Sequence, residues 1–135
     1  MESFNPRGNR SNGPEAKIQE AIIKRLRQLG WHVKVMTASA LMSGFPDLFC
    51  CHPSYGVRLV EVKYGPAHSF TAAQRIEFVK MVTFGCPIYI LISDADSEIR
   101  KLHVGGGNLH EYMSCMKVAN DTILKLMQDM KKQKG

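Results

Sequence analysis

The sequence predicts a single α/β domain over residues 14–135, with a mixed central sheet flanked by helices and extra helices at the C-terminal end. Apolar residues recur at helical spacing between residues 14 and 29, and three short apolar runs follow before residue 64. A second helical pattern and a fourth, almost wholly apolar run come next. The order helix, three strands, helix, strand is that of an α/β domain. The 135 residues suffice for one such domain and are too few for two ordinary ones.

The first helix is predicted over residues 14–29, because Pro14 suits a first helical turn and Gly30 suits the stop. Glu15 falls on the edge of the apolar stripe of this helix, with Gln19 one turn later. Glu15 therefore has two competing interpretations, a buried functional carboxylate or an acidic residue that complements the helix N-terminus. Strands are predicted over residues 31–36, 47–52 and 57–64, the last two joined by a turn rich in Pro, Ser and Gly.

The second half of the chain begins with a capping box, in which Thr71 is the N-cap and Gln74 reaches back to it. This helix is predicted to run to about residue 84, and residues 87–93 form a strand buried on both faces. Residues 100–104 are predicted as an edge strand, and the chain is predicted to be helical from residue 108. The methionine-rich final helix has two interpretations, packing on the sheet and dimerisation, of which we favour at least partial use in a dimer. Residues 1–13 are predicted to be a flexible arm.

Composition narrows the class of protein. No apolar run approaches the ~20 residues of a membrane span, and the N-terminus lacks the apolar region of a secretory signal, which predicts a cytosolic protein with no membrane partner. The formal net charge of +6 favours a polyanion as partner. The cysteines, none in a metal-ligand spacing, are interpreted as reduced core thiols: Cys50, Cys51, Cys86 and Cys115.

Asp47, Glu61 and Lys63 are charged residues in otherwise apolar runs, where burial is costly unless the charges are paired. Glu61 and Lys63 are two residues apart, so they share one face of a strand. If the Asp47 strand lies beside them, two carboxylates and an ammonium converge. Two carboxylates favour a cation between them, and a nearby lysine can position a water or stabilise developing charge. The pattern therefore predicts a hydrolytic site for a hard metal. In the competing interpretation Glu61 and Lys63 are solvent-face partners and Asp47 is a turn residue.

These residues resemble a known family. G-F-P-D at residues 44–47 with E-V-K at residues 61–63 is similar to the PD-(D/E)xK nuclease signature, whose restriction-endonuclease-like core has the order αβββαβ. E-x-x-I-Q at residues 15–19 and F-T-A-A-Q at residues 70–74 narrow the resemblance to the VRR-NUC type, which occurs as a short stand-alone form in phages and bacteria. The resemblance covers residues 14–104.

The resemblance implies a role for each matching residue. Asp47 and Glu61 would ligate Mg²⁺ or Mn²⁺ together with the carbonyl of Val62, and Lys63 would sit by the attacking water. Glu15 would hold a metal-bound water or a second ion, and Gln74 would orient Lys63 or substrate unless it only caps its helix. The residues that we expect to contact DNA are Lys34, Ser43, Gly44, His68, Arg75 and Lys80.

The predicted function is a metal-dependent, structure-selective DNA endonuclease, in particular a Holliday-junction resolvase that acts as a homodimer. It would work in the cytosol of a bacterium or of a phage-infected host and need no organic cofactor. Two alternatives remain at this point: an endonuclease for flaps, nicks or restriction-like targets, and a catalytically silent DNA-binding module.

Overall fold

The structure is a computed structural model and describes residues 13–36, 43–65, 69–116, 128 and 132. Four strands form one sheet in the order β1-β2-β3-β4, with the first three antiparallel and β4 parallel to β3. This mixed sheet with flanking helices confirms the predicted α/β class. The elements are α1 (Pro14–Gln28), β1 (His32–Val35), β2 (Leu48–His52), β3 (Gly56–Val62), α2 (Ala72–Thr83), β4 (Ile88–Leu91), α3 (Asp96–Ile99) and α4 (Met113–Met116), with 3-10 turns at Arg100–His103 and Leu109–Tyr112.

The two faces of the sheet are covered by different helices. Side chains alternate between the faces along each strand. Ile22 and Leu26 of α1 pack on the face that carries Leu48 and Val60. On the opposite face, Phe78 and Val82 of α2 pack with Leu59, Ile90 and neighbouring apolar residues. The face of the sheet on which a charged side chain lies therefore determines which helix covers it.

The predicted edge strand over residues 100–104 is wrong, because most of this segment is the 3-10 turn Arg100–His103. The outer edge of β4 is closed by side chains instead. Asn108 is 4% exposed, and its Oδ1 accepts a hydrogen bond from the Ile90 N–H at 2.7 Å while its Nδ2 donates to the Ile90 carbonyl at 3.0 Å. The Ile92 N–H donates to Glu98 Oε1 at 3.0 Å. The hydrogen-bonding groups that a fifth strand would need are thus already used.

The prediction of helix from residue 108 holds in part, since Leu109–Tyr112 is a 3-10 turn and α4 follows it. The remainder of the methionine-rich segment, apart from residues 128 and 132, lies outside the described residues, as do residues 1–12. The dimer helix and the flexible arm therefore stay predictions. All four cysteines are free thiols, and burial raises the pKa of Cys50 to about 12, so this thiol is a poor nucleophile. Within the described part of the chain, none of the helices has the length and apolarity needed to cross a bilayer.

Candidate active site

The three charged residues of the sequence pattern converge at one end of the sheet. Continuing the β2–β3 register by one residue from the pair Leu48 and Val60 places Asp47 opposite Glu61. The side chains of Asp47, Glu61 and Lys63 all belong to the face covered by α2. Their exposures are only 3%, 2% and 5%, so the solvent-face interpretation of Glu61 and Lys63 is wrong.

A closed hydrogen-bonded network joins Glu61, Lys63 and Gln74. The Lys63 ammonium lies 3.0 Å from Glu61 Oε2 and donates to Gln74 Oε1 at 2.9 Å. Gln74 Nε2 in turn donates to Glu61 Oε2 at 2.8 Å. Each member is therefore held by the other two, and this fixes the lysine beside the carboxylate.

Gln74 is also part of the predicted capping box of α2. The Thr71 N–H donates to Gln74 Oε1 at 3.0 Å, and the Gln74 N–H donates to Thr71 Oγ1 at 3.1 Å. One amide group thus caps the helix and contacts both Glu61 and Lys63. The start of α2 and the charged pair therefore share one side chain. The sequence had offered helix capping and orientation of Lys63 as alternatives for Gln74, whereas the structure combines them.

Asp47 is oriented by the backbone of β3. Its Oδ2 accepts a hydrogen bond from the Val62 N–H at 3.0 Å. Because the N–H and C=O of one strand residue point to the same side, the Val62 carbonyl is directed towards β2, on the side of Asp47. In the continued register its partner would be Pro46, which has no N–H to donate. Pro46 therefore interrupts the backbone ladder beside the carboxylate pair.

The surroundings of Glu61 disfavour its ionised form. Burial, and then the neighbouring Asp47, raise the pKa of Glu61 from 4.5 to about 7, against the opposing effect of Lys63 and Gln74. Glu61 Oε1 is buried and has no hydrogen-bond partner among the described residues. A buried acceptor without a donor is costly, and a positive charge at that oxygen would remove the cost.

The donor set fits a hard divalent cation with an incomplete protein shell. In the described ranges, no group of three His, Cys, Asp or Glu side chains lies close enough together to hold a metal ion. Mg²⁺, however, is usually bound through one or two carboxylates, with waters and substrate phosphates as the other ligands. Asp47, Glu61 with its unpartnered Oε1, and the Val62 carbonyl are oxygen donors of that kind.

Glu15 belongs to α1, which covers the face of the sheet opposite Glu61 and Lys63. The carbonyl of Leu29, at the C-terminus of α1, is 3.3 Å from His52 Nε2, at the end of β2 remote from Asp47. The first turn of α1, with Glu15, is therefore at the Asp47 end.

The residues predicted to contact DNA are spread over three elements. Lys34 is exposed on β1 and pairs with Phe49, so it occupies the face that carries the site. Ser43 is exposed, and Arg75 and Lys80 lie on α2, half-buried and exposed respectively. His68 lies outside the described residues.

Gly44 is explained by packing. Its φ of +80° is unfavourable for other residues, and a Cβ there would lie 2.7 Å from the carbonyl oxygen of Ala73. The backbone at Gly44, shortly before Asp47, thus packs directly against the first turn of α2.

Phe70 was missed by the sequence analysis, although it opens the F-T-A-A-Q motif. The Lys63 ammonium lies 4.4 Å from the centre of its ring. One signal was available: a residue directly before an N-cap often packs on the fourth helical position, which here is the polar Arg75. An aromatic residue without that partner is a candidate for another contact.

Comparisons with protein-family models, with curated proteins and with solved structures found no match to this chain. The fold and site define an α/β protein with a buried carboxylate–lysine–amide centre. The resemblance to VRR-NUC nucleases therefore stays a prediction from the residues that carry it.

Proposed function

We propose that this protein is a divalent-metal-dependent DNA endonuclease whose centre is Asp47, Glu61 and Lys63. The observation that carries the proposal is the buried pair of Glu61 and Lys63 beside Asp47, with one carboxylate oxygen that has no partner among the described residues. Such an arrangement is costly for stability alone, and strongly perturbed carboxylates concentrate at functional sites.

Each residue has a role that follows from its contacts. A bound Mg²⁺ or Mn²⁺ would neutralise phosphate charge and lower the pKa of a water. Asp47, fixed by the Val62 N–H, and Glu61 would hold the ion with the Val62 carbonyl. Lys63, fixed by Glu61 and Gln74, would orient the attacking water or stabilise the negative charge that develops on the phosphate. The low exposure of all three side chains strengthens these interactions.

The proposed substrate is branched DNA, with the four-way junction as the preferred form and a homodimer as the active species. The net charge of +6 supports a polyanionic substrate, and exposed Lys34 offers a phosphate contact on the site's face of the sheet. The junction and the dimer rest on the family resemblance.

The test is cleavage of a synthetic four-way junction, with a linear duplex of the same sequence as control substrate, in Mg²⁺, in Mn²⁺ and in EDTA. The variants are Asp47→Asn and Lys63→Gln. Lys101→Gln is the matched control, because Lys101 also pairs with a largely buried glutamate, Glu98, in another part of the fold. We expect the two site variants to lose at least roughly 100-fold in rate and the control variant to keep its activity.

The outcomes separate the parts of the proposal. Cleavage that survives both site substitutions, or that persists in EDTA, would refute the centre. Equal cutting of junction and linear duplex would refute the junction preference and leave a less selective endonuclease. A wild-type protein that binds DNA without cutting it in either metal would favour a silent binding module.

A further inference from the structure

The ring of Phe70 forms one wall of the Lys63 site. Phe70 is 6% exposed and stands directly before the N-cap Thr71 of α2. The Lys63 ammonium lies 4.4 Å from the ring centre, well within the range of a cation–π interaction. The pair is buried, so water weakens this attraction little.

Two other aromatic residues pack against the ring of Phe70. Phe78 meets Phe70 edge to face, with ring centres 6.2 Å apart and planes at 87°. Tyr112, from the 3-10 turn Leu109–Tyr112, is tilted against Phe70 at 6.4 Å. These are favourable aromatic geometries, and they anchor the ring in the core between the sheet and α2.

Three groups therefore surround the Lys63 ammonium: Glu61 Oε2 at 3.0 Å, Gln74 Oε1 at 2.9 Å and the Phe70 ring at 4.4 Å. Two of the three come from the first turn of α2 and the residue just before its cap. A lysine side chain is a flexible stem, and one contact alone does not define where its charge lies.

We propose that Phe70 is a positioning residue that fixes the Lys63 ammonium beside Glu61. The proposal rests on the proposed nuclease function and deepens it by assigning to Phe70 the geometry of the lysine. Phe70 does not touch the reacting atoms; it acts through Lys63.

The experiment compares Phe70→Leu, Phe70→Tyr and Tyr89→Leu in the full chain. Leucine keeps the apolar volume but removes the ring face, whereas tyrosine keeps the ring face. Tyr89→Leu is the matched control, because Tyr89 is a buried ring that also faces a cation, Arg58 at 5.3 Å, but packs on the opposite face of the sheet. Urea unfolding establishes that each variant is folded at the assay temperature.

We expect Phe70→Leu to lower kcat roughly 2- to 30-fold, the range of a cation–π contact, with KM for junction DNA little changed. Phe70→Tyr should restore kcat, and Tyr89→Leu should leave kcat near wild type. Equal losses in Phe70→Leu and Tyr89→Leu, or no loss in Phe70→Leu, would overturn the proposal.

A second readout does not depend on activity. In protein with isotope-labelled lysine, the Lys63 ε-methylene protons should be shifted upfield by the ring, with the signal assigned from its loss in Lys63→Gln. Phe70→Leu should abolish the shift and Tyr89→Leu should keep it. A normal Lys63 shift in the wild type would overturn the placement even in an active enzyme. An inactive wild type that shows the shift would refute the nuclease function and support the placement of Lys63 by Phe70.

Discussion

Replacement of Glu61 by glutamine should stabilise the metal-free protein at neutral and alkaline pH. The pKa of Glu61 is about 7 in the folded protein, against 4.5 as its ordinary value. Below pH 4.5 both the folded and the unfolded chain carry the proton. Between pH 4.5 and 7 the unfolded chain releases it while the folded protein keeps it, so the free energy of unfolding falls as pH rises. The free energy of unfolding falls by about 3 kcal/mol over this range, and the whole loss is present above pH 7.

Glu61→Gln removes this titration and keeps nearly the same shape. Its amide oxygen can take the hydrogen bonds that Glu61 Oε2 accepts from Lys63 and Gln74. We therefore expect wild type and variant to have similar free energies of unfolding near pH 4. As the pH rises, the free energy of unfolding of the variant should exceed that of the wild type by a growing margin, which reaches about 3 kcal/mol at pH 8.

The assay is urea unfolding at several pH values between 4 and 8 in EDTA, with Glu20→Gln on the exposed side of α1 as control. The control should differ from wild type by no more than about 0.5 kcal/mol at every pH. Mg²⁺ should stabilise the wild type more at pH 8 than at pH 5, because it binds the ionised carboxylates. A difference between wild type and Glu61→Gln that does not change with pH would refute the reasoning.

Three further perturbations test the structure around the site. Gly44→Ala should destabilise the protein more than Gly65→Ala does; both glycines have φ of +80°, but only at Gly44 would the new Cβ meet backbone at 2.7 Å, and urea unfolding that ranks them equally would contradict the packing on α2. Asn108→Ala should cost about 2–4 kcal/mol, since it leaves a buried N–H and C=O of β4 without partners, and a loss below about 1 kcal/mol would show that the edge does not depend on it. Lys34→Gln should weaken junction binding and reduce its salt dependence in fluorescence anisotropy, whereas Lys24→Gln on α1 should not; equal effects would place the DNA elsewhere.

Much of the core could be predicted because its signals are local. The Pro14 start, the apolar stripe of α1 and the capping box of Thr71 and Gln74 each depend on residues within a turn or two. The alternation of side chains along β3 placed Glu61 and Lys63 on one face. These features follow from backbone geometry, which the sequence encodes at short range.

The edge of the sheet could not be predicted in the same way. Residues 100–104 resemble a short strand locally, yet Asn108 and Glu98 already occupy the outer hydrogen bonds of β4. Whether a segment pairs with a sheet depends on which groups of the folded chain occupy the hydrogen bonds of that edge. That competition is decided by tertiary packing.

The local sequence is enough to identify the charged residues of the site and to place Glu61 and Lys63 on one strand face. Only in the folded chain are these residues buried, with Gln74 joining the helix cap to the charged pair and Phe70 covering Lys63. The physical reason is that a side chain's periodicity is set by its own strand or helix. Its burial, its pKa and its partners are set by the distant elements that pack against it.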